Sequence, residues 1–327
     1  MTKTILVLGA TGGVGGETAR ALVRHGWTVR AMARRVPADG NPAIDWRQGD
    51  AMDRAAVMAA AEGADAILHA VNPPGYRNWS KLVLPMLDNS IAAALANGAR
   101  LALPGTIYNY DPRSVAVAAP GAVQRPNTRK GAIRAEMERR LAETPRLRTL
   151  VLRAGDFFGP RTSGNSWLSG GMVTPGKPVR SVLYPGRPGI GHAWAYLPDM
   201  AEAFARLLDR EAGLPDFACH HFAGHWIDGP GMVAAIGAAA GTRPKVRKLP
   251  WRLLPLVAPF NQTMREMIEM EGFWCHPLRL DNASLEAEIG AEPHTPLVQA
   301  LWVSLAAMGC LAKEEQGGNL DFFTYSA

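Results

Sequence analysis

In the first half of the chain, segments with the apolar pattern of β-strands alternate with segments whose apolar residues recur at helical spacing. Short apolar runs predict β-strands at Thr4–Leu8, Thr28–Ala33, Ala43–Arg47, Ala66–Val71, Leu101–Pro104 and Thr149–Arg153. Between these runs, apolar residues recur at helical spacing and predict amphipathic helices at Gly13–His25, Arg54–Ala61, Leu82–Asn97 and Thr128–Glu143. Gly26 and Gly98 follow two of these helices, where glycine commonly ends a helix in the left-handed conformation. Strands that alternate with helices predict an α/β fold with a doubly wound parallel sheet.

The regular alternation of strand and helix patterns ends near Phe157, where the second half of the chain begins. Proline and glycine crowd residues 159–191, and no clean period survives there. Further along, the pattern predicts helices at Asp199–Asp209, Met232–Gly241 and Leu297–Met308, and a strand at Phe217–Ala223. We therefore expect one domain over residues 1–155 and a smaller irregular lobe over residues 156–327. Part of residues 192–225 is expected to return to the first domain.

The composition is that of an ordinary globular protein. Of the 327 residues, 47% are hydrophobic and 20% are charged, which excludes a disordered or fibrous chain. Cys219, Cys275 and Cys310 lie far apart, without the paired spacing of a zinc site or a disulfide framework. No run of ~18 apolar residues is free of charges and prolines. We therefore expect a cytoplasmic protein that has no membrane partner.

The chain carries a formal net charge of +6, and its basic residues are densest over residues 125–153 and 243–252. In the first of these segments, Glu136, Glu138 and Glu143 are interleaved with the basic residues at helical spacing. That mixture is typical of a solvated helix face rather than of a nucleic-acid surface. We expect no nucleic-acid partner, and we expect the excess charge to serve a small phosphorylated ligand.

A glycine-rich segment follows the first predicted strand directly and precedes the first predicted helix. Glycines at this position allow a tight turn and let backbone N–H groups approach a pyrophosphate at the N-terminus of a helix. The strand before the segment and the helix after it make nucleotide binding the favoured interpretation over a simple turn. The residues that we expect to hold the cofactor here are Gly9, Thr11, Gly12, Gly13, Val14 and Gly15.

The spacing Gly9-x-x-Gly12-x-x-Gly15 resembles that of the extended short-chain dehydrogenase/reductase family, including its epimerase/dehydratase branch. Later segments resemble the family's motifs in the same order: Gly49–Asp53, Ala64–Ala70, Leu152–Pro160 and Tyr196–Ala201. The resemblance covers the chain from residue 4 to about residue 300. It implies a Rossmann fold, an NAD(P)-binding first domain, a substrate-binding lobe and oxidoreductase or epimerase chemistry on a small molecule.

The same resemblance implies positions for the rest of the cofactor. Asp50 and the backbone of Ala51 would hold the adenine, and Phe157 would lie at the edge of the nicotinamide pocket. The turn from Asn72 to Tyr76 would border the nicotinamide ribose. On this basis Asp50, Ala51, Asn72 and Phe157 join the predicted cofactor site.

The choice between NADP and NAD is made at the end of the second strand. Members of the family that prefer NAD place an acidic side chain there, which binds the ribose 2′-hydroxyl. This chain has Arg34 and Arg35 at that place, and its next acidic residue is Asp39. Guanidinium groups pair with phosphates through charge-assisted hydrogen bonds. We therefore expect NADP(H) as the cofactor, with NAD less favoured.

The catalytic positions depart from the family pattern. Most members use a Ser or Thr together with a Tyr that lies four residues ahead of a Lys. In this chain the usual Ser position is occupied by Pro104, the Tyr position by Lys130 and the Lys position by Arg134. Two hypotheses follow. In the first, Lys130 acts as the acid or base beside Arg134, assisted by Thr106 or Tyr108. In the second, the chain is a cofactor-binding sensor that resembles the NmrA-like branch.

Two further features yield weaker expectations. Cys219, His220, His221 and His225 form a cluster of metal-ligating types, but only alternate residues of a strand share a face. We therefore expect no metal site. Many relatives pair through a four-helix contact, so the resemblance implies a homodimer through the helices at residues 82–97 and 128–143.

Overall fold

The computed structural model describes residues 2–73, 79–161, 166–258 and 262–312. Its strands are β1 (Thr4–Leu8), β2 (Thr28–Ala33), β3 (Ile44–Gln48), β4 (Ala66–His69), β5 (Arg100–Thr106), β6 (Val117–Ala118), β7 (Arg148–Ala154), β8 (Asp156–Phe158), β9 (Ser181–Tyr184), β10 (His192–Tyr196), β11 (Phe217–His221), β12 (His225–Ile227), β13 (Lys245–Lys248) and β14 (Arg279–Leu280). Its helices are α1 (Gly13–Arg24), α2 (Arg54–Ala60), α3 (Trp79–Asn97), α4 (Arg129–Glu143), α5 (Leu197–Asp209), α6 (Gly229–Ala239), α7 (Leu254–Val257), α8 (Gln262–Ile268), α9 (Glu271–Cys275), α10 (Ala283–Ile289) and α11 (Leu297–Ala307).

A seven-stranded sheet forms the centre of the molecule, in the order β11-β7-β5-β4-β1-β2-β3. Every neighbouring pair in this sheet is parallel. The predicted doubly wound parallel sheet is therefore confirmed. The chain moves outward from β1 in both directions, first through β2 and β3 and then through β4 and β5. This reversal creates a crevice at the carboxyl end of β1, where ligands bind in open α/β sheets.

Successive side chains of each strand point to opposite faces of the sheet, and each face packs against helices. Ile5 and Val7 of β1 are fully buried in a core that includes residues of α1 and α5. Leu6 and Leu8 of the same strand point into a second core, with residues of α2, α3 and α4. Because both faces are covered by helices, the strands can be apolar at nearly every position.

The lobe after β7 has its own apolar core, in which Trp194, Trp274 and Tyr184 are almost fully buried. Its central strand β10 pairs with β8 in parallel and with β12 in antiparallel orientation. A small parallel pair, β9 with β13, lies in the same lobe. Between β10 and β12 the chain returns to the main sheet, since β11 adds to its edge beside β7. The division at residue 155 stays a prediction.

Most predicted elements match their observed counterparts to within a few residues. Gly26 and Gly98 have φ values of +80° and +59°, as predicted for glycines that end helices. Helix α6 begins three residues before the predicted start at Met232, because the Asp228 side chain accepts the backbone N–H of Gly231 and caps the helix. Among the described residues, no helix is long and apolar enough to cross a membrane.

Candidate functional site

A cavity of about 470 Å³ lies at the carboxyl end of the central strands. Its walls come from β1 and the loop before α1, from the ends of β2, β4 and β5, and from α3 and α4. Most of the predicted cofactor residues line it, together with one predicted catalytic residue. Those residues are Gly9, Thr11, Gly12, Gly13, Val14, Arg34, Asp50, Ala51, Asn72, Phe157 and Arg134.

The glycine loop is shaped by its own close packing. Gly9 has a φ of +90°, and its carbonyl oxygen accepts the N–H of Gly12 at 2.9 Å. A Cβ on Gly15 would overlap the backbone of Gly9, so Gly15 is required by the approach of α1 to the loop. A Cβ on Gly12 would meet only the Gly9 oxygen, at 3.3 Å. Gly12 lines the cavity, whereas Gly15 is buried inside α1.

One end of the cavity is formed by the ends of β2 and β3, where the sequence predicts adenine and phosphate contacts. The Asp50 carboxylate accepts the backbone N–H of Met52 at 3.0 Å, which fixes the turn after β3, and Ala51 is buried beside it. Arg34 lines the cavity, and Arg35 does not. Both arginines are exposed, and neither forms an ion pair with a described residue. The guanidinium of Arg34 is therefore placed to meet an anion at the cavity mouth.

The inner end of the cavity is formed by His69, Arg134 and Asn72. The Ser90 hydroxyl donates to the Met86 carbonyl, so it accepts a hydrogen bond from Nδ1 of His69, at 2.8 Å. Burial, and secondarily the charge of Arg134, lower the pKa of His69 to about 3, so the ring is neutral. The Arg134 guanidinium lies 5.2 Å from the ring centroid of Trp79. The side-chain oxygen of Asn72 accepts the Trp79 indole N–H at 2.6 Å.

The other predicted catalytic residues do not line this cavity. Lys130 is 5% exposed and lies in the first turn of α4, which Thr128 caps by accepting the N–H of Gly131. A Cβ on Gly131 would overlap the carbonyl oxygen of Tyr108, so α4 packs tightly on the turn after β5. The Thr106 hydroxyl accepts the backbone N–H of Tyr108 and thereby caps this turn. Residues 74–76 of the predicted Asn72–Tyr76 turn lie outside the described residues.

Tyr108 begins a chain of hydrogen bonds that the sequence did not reveal. Its hydroxyl donates to Asp156 at 2.6 Å, and the other oxygen of Asp156 lies 2.7 Å from Nε2 of His192. Nδ1 of His192 lies 3.2 Å from the carbonyl oxygen of Phe273. The His192 ring stacks on Trp274, with centroids 3.8 Å apart and planes at 5°. We call Tyr108, Asp156 and His192 the relay. Asp156 lies inside a motif quoted above, but no spacing linked it to residues 108 and 192.

A second buried network joins α4 to β7 and β11. The Arg153 guanidinium donates to both oxygens of Glu138 and to the Tyr110 hydroxyl, at 2.6 Å for the latter. It also donates to Nε2 of His221, at 3.0 Å. Burial, followed by the charge of Arg153, lowers the pKa of His221 to about 3. This cluster satisfies its members internally, as a structural network does.

The histidine cluster of the sequence is divided by the fold. His220 faces Ser284, on the opposite side of β11 from His221, and His225 packs on His294 at 4.4 Å between ring centroids. Over the described part of the chain, no group of three His, Cys, Asp or Glu side chains is arranged to hold a metal ion. The alternation of side chains along β11 accounts for this separation.

Comparison with known proteins is consistent with this geometry. Residues 9–164 match a family model described as NAD(P)H-binding. Sterol demethylase protein B from Methylococcus capsulatus is 41% identical over 69 residues, an alignment that spans 20% of this chain and only 21% of that protein.

Solved structures match over nearly the whole chain. UDP-glucuronic acid 4-epimerase from Bacillus cereus, in complex with NAD, has a TM-score of 0.72 at 12% identity, covering 93% of this chain and 98% of that one. DesIV from Streptomyces venezuelae, a dTDP-glucose 4,6-dehydratase with NAD bound, has a TM-score of 0.69 at 17% identity, with coverages of 93% and 96%. At these identities the likeness is one of fold.

Proposed function

We propose that this chain, which has an NAD(P)-binding domain and the Rossmann-type fold of the NAD-dependent epimerases and dehydratases, is an NADP(H)-dependent oxidoreductase. We propose that its substrate is a small organic carbonyl, enone or sugar-like compound. The observation that carries the proposal is the single cavity in which the glycine loop, Arg34, Asp50 and Arg134 meet. Its N–H donors and cations match the anionic and hydroxyl groups of a dinucleotide.

Several residues fit the cofactor in this proposal. The loop from Gly9 to Gly13 would receive the pyrophosphate at the start of α1, and Asp50 with Ala51 would hold the adenine. Arg34 would pair with a 2′-phosphate, which favours NADPH over NADH. Arg134 would donate to the ribose beside the neutral ring of His69, whose buried Nε2 has no hydrogen-bond partner among the described residues. When bound, the cofactor supplies or accepts the hydride.

Two candidates for the proton donor, Lys130 and Tyr108, lie on α4 and on the turn after β5, although neither lines the cofactor cavity. Lys130 holds the position of the family's tyrosine and is buried. Tyr108 belongs to the relay: its hydroxyl donates a hydrogen bond to Asp156, and a ring nitrogen of His192 lies against the other carboxylate oxygen. To protonate a substrate, the Tyr108 hydroxyl must turn away from Asp156, and a proton carried on Nε2 of His192 would then return to Tyr108 through Asp156. Thr106 supports this arrangement by fixing the turn that carries Tyr108.

The absent hydroxyl at Pro104 favours a second candidate function. Pro104 lines the cavity where most relatives place a Ser or Thr, and it can neither donate nor accept through a side chain. A cavity that holds NADPH without this group would suit a sensor that binds the cofactor and reports its level. The two functions share the cofactor site and differ only in turnover.

A measurement of substrate turnover distinguishes the oxidoreductase from the sensor. NADPH affinity is measured by fluorescence titration, and loss of NADPH absorbance is followed with a panel of ketones, enones, sugar nucleotides and sterol ketones. Sugar nucleotides and sterol ketones are included because the similar proteins described above are named for such compounds. We expect NADPH binding with turnover of one class. Tight binding without turnover of any class would support the sensor, and no binding of either cofactor would contradict both functions.

The proton donor is tested in the active enzyme. If Tyr108 supplies the proton, Tyr108→Phe should lower kcat by about a hundredfold or more, the usual range for a lost general acid, with NADPH affinity unchanged. Lys130→Met should then leave the pH profile of kcat intact. The opposite pattern, in which Lys130→Met removes the pH dependence and Tyr108→Phe is active, would assign the proton to Lys130.

A further inference from the structure

A second cavity, of about 540 Å³, lies in the other lobe between α6 and the β9–β13 pair. None of its lining residues lines the cofactor cavity. Its volume is within the ~300–1,000 Å³ range of ordinary small-molecule sites. Much of its wall is apolar, from Pro188, Pro230, Val233, Ala234, Pro244 and Val246. An apolar molecule that bound here would bury its apolar surface between a strand pair and a helix, which is favourable because that surface is removed from water.

Two hydroxyl groups belong to residues of this wall and lack partners. Tyr184 is 5% exposed, and its hydroxyl has no hydrogen-bond partner among the described residues. The hydroxyl of Thr242 is likewise buried without a described partner. A buried polar group that lacks a partner is costly to the fold, so native proteins rarely retain one without a reason. A ligand oxygen would satisfy these donors.

The mouth of the cavity is positively charged. Arg243 and Lys248 line it, both are exposed, and neither forms an ion pair with a described residue. They belong to a segment, residues 229–265, that contains six Lys or Arg and no Asp or Glu. A cluster of one sign at the mouth of an apolar cleft concentrates ligands of the opposite sign.

We propose that this cavity binds an amphipathic anion, a molecule with an apolar body and one carboxylate, sulfonate or phosphate group. The apolar body lies against Val233, Ala234 and Val246, and the anionic group meets Arg243 and Lys248. A polar oxygen of the ligand accepts from the Tyr184 or Thr242 hydroxyl. This site is separate from the cofactor cavity and does not depend on the proposed oxidoreductase activity.

The elements around the cavity provide matched controls. On β13, Val246 and Lys248 line the cavity, whereas the exposed Arg247 does not, as expected for alternate faces of a strand. On α6, Ala234 lines the cavity, whereas Ala238, which is also exposed, does not. Each pair allows the same substitution to be made inside and outside the proposed site at comparable exposure.

Binding is measured by displacement of anilinonaphthalene sulfonate fluorescence by laurate below its micelle concentration. We expect laurate to compete and dodecanol to compete several times more weakly. Lys248→Ser should weaken laurate roughly threefold to fivefold, because an exposed charge pair contributes up to ~1 kcal/mol, and Arg247→Ser should have less effect. Ala234→Trp should fill the cavity and weaken laurate by about tenfold or more, whereas Ala238→Trp should not. Melting curves followed by circular dichroism check that each variant is folded.

Several results would overturn the proposal. Equal losses in Lys248→Ser and Arg247→Ser would reduce the effect to general surface charge. Full laurate affinity in folded Ala234→Trp would place the ligand elsewhere. Sedimentation with phosphatidylglycerol vesicles separates the two sources of an amphipathic anion: vesicle binding without any competition by free laurate would indicate a membrane-surface contact and would contradict a cavity site.

Discussion

At the scale of single residues, the glycines of the loop differ in what they make room for. Gly9 and Gly15 are in mutual van der Waals contact, so Gly15 serves the packing of α1 on the loop. Gly12 lines the cavity, and a Cβ added to it would meet only the Gly9 oxygen. The sequence pattern treats Gly12 and Gly15 alike and predicts that valine at either position leaves the fold intact. The packing instead predicts that valine at Gly15 destabilises the fold.

Valine substitutions should separate these roles. Gly12→Val should abolish NADPH binding with an unchanged urea midpoint, because its side chain enters the cofactor cavity. Gly15→Val should lower the free energy of unfolding by about 1–3 kcal/mol or more, because it overpacks α1 against the loop. Both are measured by urea denaturation and NADPH fluorescence. A Gly15→Val protein with the wild-type urea midpoint would contradict the packing argument.

The two arginines after β2 should also differ. Arg34 lines the cavity and Arg35 does not, although the sequence offers both as partners of a 2′-phosphate. Arg34→Ala should weaken NADPH binding roughly tenfold, or ~1.4 kcal/mol, and should change NADH affinity little. Arg35→Ala serves as the matched control, with a smaller effect on both cofactors. Equal affinities of the unmodified protein for NADPH and NADH would refute the role of Arg34.

At the scale of elements, α4 is held by a buried ion pair as well as by apolar contacts. Glu138 on α4 and Arg153 on β7 are each 2% exposed, and Asn109 and Gln124 donate to the same carboxylate. The pair fixes the helix that carries Lys130 and Arg134 against the sheet and the turn after β5. Removal of one partner would leave the other charge buried.

A single variant and a double variant test this role of the ion pair. Glu138→Leu should lower the free energy of unfolding by about 3–5 kcal/mol, because it leaves the Arg153 guanidinium buried without its carboxylate. Glu138→Leu combined with Arg153→Met should be more stable than Glu138→Leu alone, since no buried charge remains. Guanidinium denaturation measures both. A double variant less stable than the single variant would show that the bonds of Arg153 to Tyr110 and His221 matter more than its charge.

At the scale of the whole molecule, buried neutral histidines link stability to pH. Burial, with a smaller contribution from Arg134, lowers the pKa of His69 from its usual 6.5 to about 3. Between these values the unfolded chain binds a proton that the folded chain excludes, so stability falls as the pH falls below 6.5. The loss approaches ~1.4 kcal/mol per pH unit for one such group. His221 contributes in the same direction.

Substitution of His69 isolates this effect from the other titrating groups. Between pH 6 and pH 4, His69→Asn should lose stability less steeply than the wild type, by roughly 1 kcal/mol per pH unit. Urea denaturation at a series of pH values measures the difference. Identical slopes for the two proteins would mean that His69 has the same pKa in the folded and the unfolded chain.

The sequence by itself determined the central sheet and the place of the cofactor loop. Strand and helix periods arise from contacts between residues a few positions apart, so they are visible in any short window. The glycine motif is similarly local, because the turn and the helix that it needs are adjacent in the chain. For this reason β1 and β2 have the predicted bounds, and Gly9, Gly12 and Arg34 line one cavity.

Only the tertiary structure decided which distant side chains meet. The relay joins residues 108, 156 and 192, which lie on three elements, and no period of the sequence connects them. The same is true of the second cavity, where α6 meets the β9–β13 pair, and of Lys130, which is buried and does not line the cavity that Arg134 lines. Such contacts depend on how the chain returns after each crossover, and in the irregular lobe no regular period predicts that path.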